Sequence, residues 1–146
     1  MSKFTHFVIP KTYAIKNIFL VEDDAEDQDF FLEALSNITN ATLCGIASNG
    51  QEAVDKLMHS DIVPDIIFMD INMPLMNGIE CLCAIKNFPA TTHIPVIMLS
   101  TATEQMRLCK ELGAKDYIKK PSDLMLLQTE LNRVIQHFSL PQCAVI

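Results

Sequence analysis

The chain has 146 residues, 49% hydrophobic and 20% charged, a size and balance that suit one globular domain and exclude a disordered chain or two full domains side by side. The 11 basic residues stand against 18 acidic ones, a formal charge of −7 with no basic run, which argues against nucleic acid as a direct partner. The 5 cysteines, an odd count without a secretory h-region, read as reduced thiols in a cytoplasmic setting, and no run approaches the ~20 apolar residues of a membrane span.

Residues 1–15 precede the first strand and include Phe7-Val8-Ile9 before Pro10, an extension left open as a loose tail or an added strand. Ile18 to Val21 is the first of five short apolar runs, and it ends in Glu22, Asp23 and Asp24. A helical pattern follows, with Phe31, Ala34, Leu35 and Ile38 at i, i+3, i+4 and i+7 and with Asp27, Asp29 and Glu33 toward water. The second run is Leu43 to Ala47, and Val54, Leu57 and Met58 mark the second helix. Ile66 to Met69 then runs straight into Asp70, ahead of a loop with Pro74 and Asn77-Gly78 and a third helix marked by Ile79, Leu82 and Cys83. Val96 to Leu99 precedes Ser100 and Thr101, and the helix of Leu108, Cys109 and Leu112 stops at Gly113. Tyr117-Ile118 is the weaker fifth run, followed by Lys119, Lys120 and Pro121. Leu124, Leu127, Leu131, Val134, Ile135 and Phe138 form the clearest helix, which Pro141 would end.

Runs that are apolar throughout suit strands buried on both faces, so the alternation predicts an open α/β sheet of five (βα) units with parallel strands. The C-terminal ends of such strands line one edge, where doubly wound sheets bind ligands. That edge collects Glu22, Asp23, Asp24, Asp70, Ser100, Thr101, Lys119 and Lys120. Read singly, each has a plainer role: Asp23 or Asp24 as a helix cap, Ser100 as a turn hydroxyl, Tyr117 as a half-buried strand aromatic, the two lysines as a solvated pair. Together they point to chemistry. Gathered carboxylates raise each other's pKa unless a cation holds them, and an all-oxygen set without His or Cys suits Mg²⁺. A carboxylate can also be the nucleophile in phosphoryl transfer, with an ammonium and a hydroxyl to stabilise the phosphoryl oxygens. Cys81 and Cys83 lack zinc spacing and read as core thiols, and His6, His59, His93 and His137 are scattered.

The motifs FLVEDD, IIFMDINMPLMNG, VIMLSTA and YIKKP, in that order and spacing, resemble the receiver domain of two-component response regulators over about residues 16–138, between an extension at 1–15 and a tail at 139–146. The resemblance implies a flavodoxin-like doubly wound (βα)5 three-layer sandwich of strand order 2-1-3-4-5. It makes Asp70 the phosphoacceptor, with Lys120 and Ser100 beside it. Mg²⁺ would be held by Glu22, Asp23, Asp70 and the Asn72 carbonyl. Ser100 and Tyr117 take the places of the switch pair, and Lys120-Pro121 that of a cis peptide. The implied partners are a histidine kinase or phosphotransfer protein and a downstream protein target, with no nucleic acid or membrane. The state implied is a monomer, or a homodimer through the face of the fourth helix, fifth strand and fifth helix. With so short a tail, output is expected through protein contact and not catalysis. Ser122 departs from the family's usual Phe and reads as a cap of the last helix. Two other classes stay open: a pseudo-receiver with a decayed site, and a Mg²⁺-dependent aspartyl phosphohydrolase. The retained site residues argue against the first, and Asn72 where that enzyme carries a second Asp argues against the second.

Overall fold

The computed structural model describes residues 14–139, so the expectations for the N-terminal patch Phe7-Val8-Ile9 and for the end of the chain after Ser139 lie outside the described residues. Five strands and five helices alternate: β1 (Lys16–Val21), α1 (Ala25–Ser36), β2 (Ala41–Ala47), α2 (Gly50–His59), β3 (Ile66–Asp70), α3 (Gly78–Asn87), β4 (Val96–Ser100), α4 (Met106–Glu111), β5 (Asp116–Lys119) and α5 (Leu124–Ser139). All strands are parallel, in the order β2-β1-β3-β4-β5. Among the described residues no helix is long and apolar enough to cross a membrane.

The two-fold alternation of side chains along each strand builds two cores, one on each face of the sheet. Phe19, Val21, Ile67, Met69, Val96 and Met98 pack on one side with Ala53 and Leu57 of α2, Leu82 and Ile85 of α3 and Cys109 of α4. Ile18, Leu20, Ile66, Phe68, Ile97 and Leu99 pack on the other with Phe31 and Leu35 of α1 and Leu131 and Ile135 of α5. The Phe31 and Phe68 rings lie 5.3 Å apart in a tilted pair. Both faces are covered, which is why these strands read as unbroken apolar runs.

Helix starts follow local chemistry. Asp24 caps α1, its carboxylate accepting from the Asp27 amide; Asn49 caps α2; and Asn77 with Glu80 forms a reciprocal capping box on α3. The expected cap at Ser122 is not made. Asp123 accepts the Met125 amide at 2.8 Å instead, one residue further on, because a carboxylate there already meets an N–H of the first turn. The helix α4 is only 6 residues long and gives way to Gly113, whose φ of +113° a side chain would resist.

Two strands run one residue further than their apolar stretches. Asp70 pairs with Leu99 and Ser100 with Lys119, so both polar residues sit within the ladder and not in a loop. Behind Asp70, the Gly78 amide donates to the Ile71 carbonyl at 2.8 Å. A Cβ at position 78 would stand 2.1 Å from the Asp70 carbonyl oxygen and 2.8 Å from the Ile71 Cα, both main-chain atoms that cannot step aside. Gly78→Ala is therefore expected to cost about 2 kcal/mol or more in chemical denaturation and to shift the amide resonances of Asp70 and Ile71. A loss below about 0.5 kcal/mol would mean that the α3 start can move freely against β3.

Candidate acidic site at the sheet edge

Between the ends of β1 and β3, where the sheet's connections diverge to opposite faces, three carboxylates meet. One oxygen from each of Glu22, Asp23 and Asp70 lies within 4.8 Å of the other two. Glu22 and Asp70 are buried, at 2% and 7% exposure, whereas Asp23 is exposed. Opposite them Lys120, the first residue after β5, extends its ammonium to Glu22 Oε1 at 2.9 Å, to Asp27 Oδ2 at 3.0 Å and to Asp70 Oδ1 at 3.2 Å. Every described peptide bond is trans, Lys120-Pro121 included, where the resemblance implied a cis bond. Trans is the favoured form of an X–Pro bond by ~0.5–1 kcal/mol, and the lysine stem spans the gap to all three acids from it.

The charges of this group do not balance. Burial pushes the Glu22 carboxyl up to about 7; the hydrogen bond from Lys120 offsets part of this, and the Asp70 charge adds to it. Burial also raises Asp70 above the ordinary carboxylate range, with the Lys120 charge pulling the other way. For Lys120 burial disfavours the charged form, but the hydrogen bonds to Glu22 and Asp27 and the fields of Asp70 and Glu22 outweigh it and hold the group above its usual range. One cation serves several carboxylates and leaves a surplus of negative charge. An all-oxygen donor set with such a surplus fits a divalent cation of the Mg²⁺ kind.

The remaining candidates sort by distance from this centre. Ser100 is buried at 2% exposure, and its Oγ accepts the Ala102 amide at 3.2 Å. The buried Tyr117 donates its phenol O–H to the Ala102 carbonyl at 2.8 Å, so both side chains end on the same residue. Asn72 is exposed, two residues beyond Asp70. Lys119 is exposed and Asp24 is engaged as a cap. Cys81 is a core thiol that burial pushes up to about 12, and among the described residues no histidine joins the acidic cluster. Sequence reasoning missed Asp27, which it turned toward water. A signal was available: the third residue of a helix leans back toward the N-terminus, here toward the strand edge.

Fold and site together define a doubly wound α/β domain with an acidic ligand site at the switch point of its sheet. The chain belongs to the response regulator receiver domain family, whose pattern matches residues 18–132. It is 37% identical over 109 residues, 72% of its length, to a protein-glutamate methylesterase/protein-glutamine glutaminase of Bacillus licheniformis, of which the match takes in 29%. It thus spans about a third of the length of the curated relatives of that name. Protein CcdB of Bacillus subtilis is 33% identical over 121 residues, covering 81% of this chain and 97% of that one. The phosphorylated cyanobacterial phytochrome response regulator RcpA superposes with a TM-score of 0.77 at 32% identity, over 86% of this chain and 94% of its own. CheY in the CheX-CheY-BeF3-Mg complex of Borrelia burgdorferi gives 0.74 at 31% identity, over 86% and 90%.

The raised Glu22 carboxyl sets a sign for stability against pH. Its folded value, about 7, lies above the ordinary 4.5, so between these values the folded protein holds more protons than the unfolded one and stability falls as pH rises. With a chelator present, the melting temperature should drop by several degrees between about pH 5 and about pH 8, and Glu22→Gln should flatten that slope. A slope unchanged in Glu22→Gln would assign it to other groups.

Proposed function

We propose that this receiver is a phosphorylation switch in which Asp70 takes a phosphoryl group from a histidine kinase or phosphotransfer protein in the cytoplasm. The observation that carries the reading is that one buried carboxylate, Asp70, faces both an all-oxygen cation site and the Lys120 ammonium at 3.2 Å. In the transfer an Asp70 oxygen attacks phosphorus, the P–N bond of a phosphohistidine breaks, and its electron pair stays on the imidazole. Bound Mg²⁺ would be held by Glu22, Asp23, Asp70 and the Asn72 main-chain carbonyl, and supplies positive charge against that of the transferring group. Lys120 holds a second phosphoryl oxygen, and the Ser100 hydroxyl donates to a third. Asn72 has no carboxylic acid to protonate a leaving group or activate water, so the aspartyl phosphate serves as a signal and not as a fast hydrolytic intermediate. A small phosphodonor with Mg²⁺ should add one phosphate by intact mass to the wild type, and none to Asp70→Asn or in the presence of a chelator. Labelling that persists in Asp70→Asn would move the acceptor elsewhere.

Output on this reading is a change of surface that another protein recognises. When Ser100 turns toward a phosphoryl oxygen it releases the Ala102 amide, and the residue that anchors the Tyr117 phenol is then free to move. The face of α4, β5 and α5 is the surface so altered, for a downstream target or a second copy of the chain. The two arrangements must lie within a few kcal/mol, of the order of the ~1–3 kcal/mol of allosteric coupling. Beryllofluoride with Mg²⁺, as a phosphoryl mimic, should shift amide resonances between about residues 102 and 138 in the wild type, and far fewer in Ser100→Ala. A mimic bound at Asp70 with no shift in that region would sink the switch and leave a constitutive interaction module.

A further inference from the structure

The Lys120 ammonium faces three acids, donating hydrogen bonds to Glu22 and Asp27 and pairing by charge with Asp70 at 3.2 Å, and the three differ in how firmly they are held. The Glu22 side chain is 3% exposed, and besides Lys120 at 2.9 Å it accepts the Asp24 amide at 3.2 Å. Asp70 is 10% exposed in its side chain and closes the β3 ladder. Asp27 is different: its side chain is 48% exposed, and among the described residues its carboxylate has one partner, Lys120 at 3.0 Å. Its main chain is nevertheless fixed, because its amide is tied to the Asp24 cap at 2.9 Å. Beside the contact lies a cavity of about 240 Å³ lined in part by Asp27, Phe30, Lys120, Pro121 and Ser122, which gives carboxylate and ammonium room to separate.

An anion arriving at Asp70 needs an N–H from Lys120. Taking it from Glu22 would break a hydrogen bond of a carboxylate that is 3% exposed, where water cannot replace it. Taking it from Asp27 lets that carboxylate turn into solvent. We propose that Asp27 is the exchangeable partner of Lys120, a positioning residue that holds the ammonium in the resting state and yields it to an anion bound at Asp70. The inference rests on the reading of Asp70 as phosphoacceptor.

Removing the charge of Asp27 then has two effects of opposite sign. The edge becomes less negative, so a divalent cation binds more weakly. The ammonium loses a competitor, so a phosphoryl mimic binds more tightly. A residue that merely kept the lysine in place would weaken the mimic when lost, and a simple surface charge would act no differently from its exposed neighbour Glu26.

The experiment compares wild type, Asp27→Asn, Asp27→Ala and Glu26→Gln. It reads Mg²⁺ affinity by calorimetry without phosphodonor, beryllofluoride affinity at saturating Mg²⁺ by fluorine NMR, and the Lys120 Nζ resonance in the metal-free protein. Both Asp27 variants should bind Mg²⁺ on the order of threefold to tenfold more weakly and beryllofluoride tighter by a similar factor, with loss of Lys120 Nζ–H protection; Glu26→Gln should move all three much less. Shifts in the same direction, no shift, or equal shifts in Glu26→Gln overturn the proposal while the phosphoacceptor reading stands. Failure of the wild type itself to bind beryllofluoride removes the reading of Asp70, and the proposal falls with it.

Discussion

The ammonium of Lys120 stands among carboxylates from the ends of two strands and the first turn of a helix, and the rest of the edge is arranged around that contact. Lys120 follows the edge strand β5, while Glu22 follows β1 and Asp70 ends β3, so the side chain reaches across the end of β4. That reach works only in one register, with Asp70 opposite Leu99 and Ser100 opposite Lys119. A slip of one residue would turn Asp70 to the other face of the sheet and bury the charge in an apolar layer. Without the lysine, two acids at 2% and 7% exposure would have no cation beside them and would be pressed toward their neutral forms. The contact therefore both sustains the charged site and fixes how the strands must align.

What sequence could show here follows from how local each interaction is. Strand and helix alternation was legible because an unbroken apolar run as short as Ile66 to Met69 suits a strand covered on both faces and little else, and burial of every residue of β3 and β4 bears this out. Strand order was not legible from periodicity, since hydropathy records that a strand is covered and not which strand lies beside it; it came through resemblance. The edge acids could be gathered from the sequence because parallel strands share a direction. Asp27 was missed because its partner lies 93 residues away and helical periodicity turned it toward water, although its place in the first turn leans it back toward that edge. The cis bond expected at Lys120-Pro121 and the cap expected at Ser122 are both replaced, by a trans bond and by Asp123, because family habit was applied at positions where local geometry had another solution.

The edge is electrostatically unfavourable, and it is supported by a framework that is not. Ile18, Leu20, Ile67, Phe68, Val96 and Met98 have no exposed surface, and they hold the strand ends at fixed spacing beneath charges that repel. Gly78 continues that rigidity into the loop, where α3 starts in contact with the carbonyl of Asp70 itself. The surplus charge on Glu22 and Asp70 costs stability in the absence of a cation, and a cation would recover it on binding. Local charge conflict set on a stiff base is a common arrangement for sites that bind ions.

Ala102 takes the Ser100 hydroxyl on its N–H and the Tyr117 phenol on its C=O. These two groups belong to successive peptide planes, and the only joint between the planes is the pair of dihedral angles at Ala102. In kinematic terms the arrangement is a linkage with a single hinge and two loaded arms. Rotation about either angle changes the alignment of one bond relative to the other, so while both bonds hold, the position of the serine constrains that of the tyrosine.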